Sequence, residues 1–158
     1  MLIATNGSKL DITAEKDTAN LAKKFSEVLK KGDVVFLYGE IGVGKTTFLR
    51  HMINSLQKNK NLKLTEVTSP TFNLVNEYQV GNLLIQHYDL FRLKNINETK
   101  NIGLLENYKK ILTLVEWPEK IENKTINSIN LFFEYEEGTE KRFLTIKGLT
   151  KERLNEIR

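Results

Sequence analysis

Gly39-Glu40-Ile41-Gly42-Val43-Gly44-Lys45-Thr46-Thr47, GEIGVGKTT, has the spacing G-x-x-x-x-G-K-[ST]. Glycines at such positions let the backbone curl so that successive N–H groups point inward at the phosphates of a nucleotide. In a loop of this kind Lys45 reaches the β- and γ-phosphates and Thr46 ligates Mg²⁺. The pattern carries weight only where a buried strand leads into it and a helix leads out. Val34-Val35-Phe36-Leu37-Tyr38 is a short apolar run suited to a core parallel strand, with turn chemistry ahead of it at Gly32-Asp33. Phe48, Leu49, Met52, Ile53 and Leu56 recur at helical spacing and form one apolar stripe. The N-terminus of that helix aims its free N–H groups and its dipole at the bound anion.

Outward from the loop, Asp17-Thr18 is a candidate N-cap for a helix through Lys31, with Leu21, Phe25, Val28 and Leu29 on one face and Gly32 as the stop. After the second helix and a polar connection over 57–66, an extended segment 72–78, a turn at Gly81-Asn82 and a strand over 83–88 read as an antiparallel hairpin. A short helix broken near Gly103 is expected within 97–109, then an apolar strand Ile111-Leu112-Thr113-Leu114-Val115. Pro118 suits the first turn of a short helix through Ile121. Residues 130–135 and 142–146 read as a second hairpin, and Thr150 as the cap of a C-terminal helix. The expected fold is α/β: a single P-loop domain over 1–158 with a mixed, mostly parallel central sheet flanked by helices, plus antiparallel hairpins.

A phosphate loop needs acidic help to hold the metal and orient an attacking group. Two carboxylates end apolar strands: Asp89 after Leu84-Ile85-Gln86-His87-Tyr88, and Glu116 after Leu112-Thr113-Leu114-Val115. The carboxyl ends of strands face the ligand crevice in open α/β sheets, so both are candidates for metal or water contact. Glu116 follows a continuous apolar run, as an acidic residue beside the phosphate-loop strand would. Asp89 follows a more polar strand and would alternatively cap the chain beyond it. Thr71, in Ser69-Pro70-Thr71, stands where P-loop switch proteins carry a γ-phosphate-sensing threonine, and a plain turn is the competing reading. His87 is expected to be packed or hydrogen-bonded and not a ligand. Trp117, the single tryptophan, reads as core or a surface wedge, and its place directly after Glu116 opens a site-facing or partner-facing role. Arg92 would pair with Asp89 or neutralise phosphate, and no arginine finger is otherwise evident.

With 158 residues, 24 Lys and Arg, 20 Asp and Glu and no cysteine, the chain can hold one real core and excludes a disulfide framework and thiolate metal sites. That composition fits a reducing, cytoplasmic setting, and no long apolar segment or signal-peptide layout occurs. The pI of 9.2 arises from scattered lysines. The densest patch, Lys58-Asn59-Lys60-Asn61-Leu62-Lys63, reads as a solvated loop before it reads as an RNA contact.

The base is better read as adenine than guanine. The nearest string to N-K-x-D, Asn123-Lys124-Thr125-Ile126, lacks the aspartate, and Asp89-Leu90-Phe91-Arg92 lacks the glycine of D-x-x-G. A small-molecule kinase would need an acceptor pocket and commonly an arginine-bearing lid, for which no insertion is evident. Hydrolysis is the simpler reaction. A module that uses ATP as a structural ligand to fix a docking surface remains the contrasting reading.

GEIGVGKTTF, SPTFNLVNEY, HYDLFRL and VEWPEKI, in this order and spacing, resemble the TsaE (YjeE) family of tRNA threonylcarbamoyladenosine biosynthesis ATPases, closely over about residues 14 to 122. The resemblance implies a bacterial cytoplasmic ATPase that uses ATP and Mg²⁺ and binds a TsaB–TsaD complex; slow basal hydrolysis, quickened by partners, is expected instead from the lack of an evident arginine finger. That complex transfers a threonylcarbamoyl group to adenosine 37 of tRNAs reading codons that begin with A. It further implies Mg²⁺ ligation by Thr46 and Glu116 and nucleotide contacts from Gly39 and from Gly42, Val43, Gly44, Lys45, Thr46 and Thr47. Asp89 matches an acidic residue needed for hydrolysis, Trp117 the tryptophan of the E-W signature, and Glu15 a position near the adenine. The loop departs from the usual G-D-L-G-A-G-K-T at Glu40, Ile41 and Val43, and the family's C-terminal G-R element is not matched cleanly at Glu140-Lys141-Arg142.

Overall fold

The structure, a computed structural model, describes residues 7–70, 72–95, 97–121 and 126–157. Among these, seven strands are β1 (Lys9–Asp11), β2 (Val34–Tyr38), β3 (Val75–Val80), β4 (Leu83–Asp89), β5 (Leu112–Glu116), β6 (Ile129–Tyr135) and β7 (Arg142–Lys147). The helices are α1 (Glu15–Val28), α2 (Lys45–Asn59), α3 (Glu98–Asn101) and α4 (Lys151–Ile157). One sheet runs β1-β7-β6-β2-β5-β4-β3. Its four inner strands, β6, β2, β5 and β4, are parallel, and the outer pairings are antiparallel.

Side chains alternate across β2, so Val35 and Leu37 join one core while Val34 and Phe36 join the other. The first core lies beneath α1, α2 and α4, where Phe25, Phe48, Leu49, Met52 and Ile53 are fully buried. Phe48 meets the rings of Phe25 and Phe133 edge-on, each at 5.7 Å between centroids. The opposite face is covered by irregular chain, with Leu90, Leu93 and Ile121 packed on Phe36 and Val115. Arg153 of α4 donates to the Val28 carbonyl and to the Asp33 carboxylate, fastening the end of α1 to the start of β2.

Several boundaries differ from expectation for local reasons. α1 begins at Glu15, with Ala14 as an N-cap that makes no side-chain bond. Thr18 is not the cap: its hydroxyl donates to the Ile12 carbonyl at 2.9 Å and ties down the segment before the helix. The helix ends at Val28 instead of Lys31, because Lys30 N–H donates to Asp33 Oδ2 at 2.8 Å and closes a turn there. β3 starts only at Val75, since Leu74 is left-handed (φ 65°) and its N–H bonds Pro70 in a turn. Within 97–109 the chain makes only the short α3 before Gly103 turns it, then a 3₁₀ turn over Tyr108–Lys110. Pro118 also opens a 3₁₀ turn, over Pro118–Lys120. β1 was not foreseen: three residues with one buried side chain, Leu10, carry too little periodicity to show. The cap at Thr150 is present, its hydroxyl accepting from Arg153 N–H at 3.3 Å.

Phe48 joins both helices to the sheet, so Phe48→Ala should cost about 3–5 kcal/mol of stability. Urea unfolding followed by circular dichroism would read this as a lower midpoint with an unchanged slope.

Candidate functional site

At the end of β2 the chain must turn back at once over β6. Gly39 has φ 146°, and a Cβ there would lie 2.8 Å from the Phe133 carbonyl and 2.9 Å from Val43 Cγ1, so no larger residue fits. Gly44, left-handed at φ 112°, is the N-cap of α2, and its carbonyl accepts the first helical bond from Phe48 N–H at 2.9 Å. Tyr135 of β6 braces the loop, its hydroxyl donating to the Gly42 carbonyl at 2.6 Å. Lys45 Nζ donates to the Gly39 carbonyl and stands 4.0 Å from the centre of the Trp117 ring. Burial pushes the Lys45 ammonium below its ordinary pKa, and the carboxylates of Glu116, Asp89 and Glu119 push back.

The two acidic candidates meet. β4 and β5 pair in parallel with Asp89 opposite Glu116, and β5 pairs with β2 with Glu116 opposite Leu37. Both carboxylates therefore emerge on the α2 side at the same height. Thr46 Oγ1 lies 3.1 Å from Glu116 Oε1 and 3.4 Å from Oε2. His87 Nε2 donates to Glu116 Oε2 at 2.6 Å, so the histidine is packed and bonded as expected. Asp89 accepts from the Ser69 hydroxyl and, at 3.0 Å, from Phe91 N–H. It thus caps the following turn and faces the cleft at once, where sequence reading set these as alternatives.

Gly42, Gly44, Lys45, Thr46, Thr47, Asp89, Glu116 and Trp117 line one cleft of about 360 Å³. Ile41, Ser69, Phe91, Arg92 and Arg142 complete its wall. Arg92 and Arg142 both stand in the cleft wall, and Arg142 gets there because β7 begins beside the loop. Trp117 faces the site because its own backbone is left-handed (φ 60°), turning the chain out of β5, and Phe91 packs on it at 4.8 Å. Glu15 lies apart, in a smaller cleft of about 160 Å³ behind the loop. There Arg50 Nη2 and His51 Nε2 each approach its Oε1 at 3.1 Å, and the hydrogen bond from His51 leads in holding its carboxyl below the usual range. Gly44, Thr47 and Arg142 border both clefts. The Val43 side chain is fully buried in the core, leaving only its backbone to the loop, and Gly39 is engaged with Lys45 beneath the cleft. Thr71 lies outside the described residues.

Among the described residues no three His, Cys, Asp or Glu side chains gather as a metal cage. The Thr46 hydroxyl and the Glu116 carboxylate instead stand 3.1 Å apart at the cleft, a pair of oxygen donors of the type a hard divalent cation accepts. No helix among the described residues is long and apolar enough to cross a membrane.

A phosphate loop between a central parallel strand and a helix, with a carboxylate on the adjoining strand, defines a P-loop nucleotide-binding protein. Residues 12–144 match the family described as "Threonylcarbamoyl adenosine biosynthesis protein TsaE". Proteins named tRNA threonylcarbamoyladenosine biosynthesis protein TsaE are similar to the chain. That of Rickettsia typhi is 41% identical over 112 residues, spanning 71% of this chain and 75% of its own. That of a Nostoc species is 32% identical over 145 residues, spanning 87% and 85%. The crystal structure of Bacillus subtilis YdiB has the same fold, with a TM-score of 0.71 at 23% identity, covering 99% of this chain and 93% of that one. The chain belongs to the TsaE family.

Trp117 is the single tryptophan, so its emission reports on the cation lying against it. Saturating ADP or ATP, by drawing Lys45 off the ring, should change that emission, and Lys45→Met should lose most of the change. An unaltered spectrum alongside binding seen by calorimetry would show that Lys45 does not move.

Proposed function

We propose that this chain is a Mg²⁺-dependent ATPase of the cytoplasm that supports formation of N6-threonylcarbamoyladenosine at position 37 of tRNAs reading codons that begin with A. It acts through a TsaB–TsaD-type complex and meets tRNA indirectly, through that complex. The observation that carries the reading is convergence: Lys45, Thr46, Asp89 and Glu116 come from two helix positions and two strand ends, and all border one cleft. Membership of the TsaE family supports the pathway. The missing aspartate at Asn123–Ile126 supports adenine over guanine.

Lys45 and the N-terminus of α2 hold the phosphates, with Gly42 to Thr47 as the cradle and Glu15 toward the base side. Thr46 and Glu116 hold Mg²⁺, which neutralises charge on the transferring phosphoryl group when bound. Asp89, tied by Ser69 and the Phe91 N–H, orients the attacking water. In the resting chain Lys45 is engaged by the Gly39 carbonyl and Trp117, which fits slow basal turnover. Partners that engage Thr71, or reset Arg92 or Arg142 toward the γ-phosphate, would quicken it, since a well-placed arginine is worth roughly 10³–10⁵ in rate.

Phosphate release from ATP should be slow for the protein alone, faster with the TsaB–TsaD partners, and absent in Lys45→Ala. Glu116→Ala should keep ATP binding measurable while release falls by about 100-fold or more. Tight ATP binding with no release in either setting would favour the structural-ligand module, as would tRNA modification undiminished by Glu116→Ala.

A further inference from the structure

We infer that His87 is a positioning residue for Glu116, setting the carboxylate's orientation from behind the cleft. The inference rests on the proposal that Glu116 serves the metal. His87 and Asp89 are two residues apart on β4 and share its α2-side face, while Asp89 stands directly opposite Glu116. His87 is therefore the diagonal neighbour of Glu116, a separation that long side chains bridge.

The bridge is made at 2.6 Å, between side chains that are 0% and 3% exposed. A carboxylate can only accept, so Nε2 carries the proton of this bond. Among the described residues Nδ1 is buried with no partner, so the one directional bond the ring makes there goes to Glu116. The other carboxylate oxygen, Oε1, has the Thr46 hydroxyl at 3.1 Å. Thr46 approaches both oxygens, at 3.1 and 3.4 Å, so the short bond from His87 to Oε2 is the contact that sets which way the carboxylate faces. His87 does not border the cleft, so it does not touch substrate and is not a base for the attacking water. The arrangement is that of an outer partner fixing a ligating group, where removal typically costs about 10–100-fold in metal affinity.

The test compares His87→Leu, which keeps apolar bulk and loses the donor, with His87→Gln, whose amide N–H reaches about as far as Nε2. Calorimetry of ADP binding at stepped Mg²⁺ concentrations gives the half-saturating metal concentration, and Mn²⁺ with ADP, followed by electron paramagnetic resonance, reads the metal directly. We expect His87→Leu to raise the half-saturating concentration about 10–100-fold, with ADP binding in EDTA unchanged and His87→Gln restored to within about threefold of wild type. Should His87→Leu fail to fold, His87→Asn, too short to reach Glu116, takes its place against His87→Gln. A folded His87→Leu or His87→Asn with wild-type metal dependence would overturn the inference alone, as would a His87→Gln no better than either. Wild-type ADP binding indifferent to Mg²⁺, with no Mn²⁺ signal, would overturn it together with the metal role of Glu116.

Discussion

Parallel pairing of β2, β5 and β4 in one register decides where the two carboxylates at the cleft stand. Leu37 opposite Glu116 and Glu116 opposite Asp89 bring two carboxylates to the strand ends level with the start of the phosphate loop. A slip of one residue between β2 and β5 would turn Glu116 to the other face, against Phe36, and leave Thr46 without its partner, while one between β5 and β4 would part Asp89 from Glu116. The apolar residues of these strands hold that register, because Val35, Leu37, Leu112, Leu114 and Ile85 must all meet α1 and α2. The same burial that stabilises the fold therefore aligns the site.

The cleft is a local concession. Lys45 at the start of α2 and His87, Asp89 and Glu116 on the sheet are buried among largely apolar side chains, and buried ionisable groups destabilise a fold unless each is bonded. Here they largely bond one another and the loop: Lys45 to Gly39, His87 and Thr46 to Glu116, Ser69 to Asp89. The left-handed backbone of Trp117 adds strain of about 1 kcal/mol or more at the same place. Such strain is held by surrounding packing, with Phe91 against the indole and Pro118 fixing the next turn.

The parts visible in the sequence were those with a strong local pattern. GEIGVGKTT between an apolar strand and an amphipathic helix located the loop, and the apolar runs ending at Asp89 and Glu116 located both carboxylates, because a strand end is legible from its own residues. Arg142, Ser69 and Phe91 were not assigned to the cleft, because what puts them there is pairing between distant segments: β7 with β6, and the Ser69 turn with Asp89. The His87–Glu116 bond is 29 residues apart in sequence and depends on register alone. Thr18 misled because an N-cap residue type was used to hold Ile12, and β1 was missed because an edge strand of three residues is defined by its partner, not by itself.

The dependence of the loop on β6 and β7 orders events during synthesis. The nucleotide loop lies at 39–47, yet Phe133 closes over Gly39, Tyr135 braces Gly42, and Arg142 borders the finished cleft. A nascent chain that has emerged only through β5 has the loop, the lysine and both carboxylates, but β2 is still an open edge and nothing shapes the turn. Non-local pairing of this kind is slow, and an uncovered apolar strand is prone to wrong partners while it waits. The nucleotide cleft thus depends on strands translated well after its own signature.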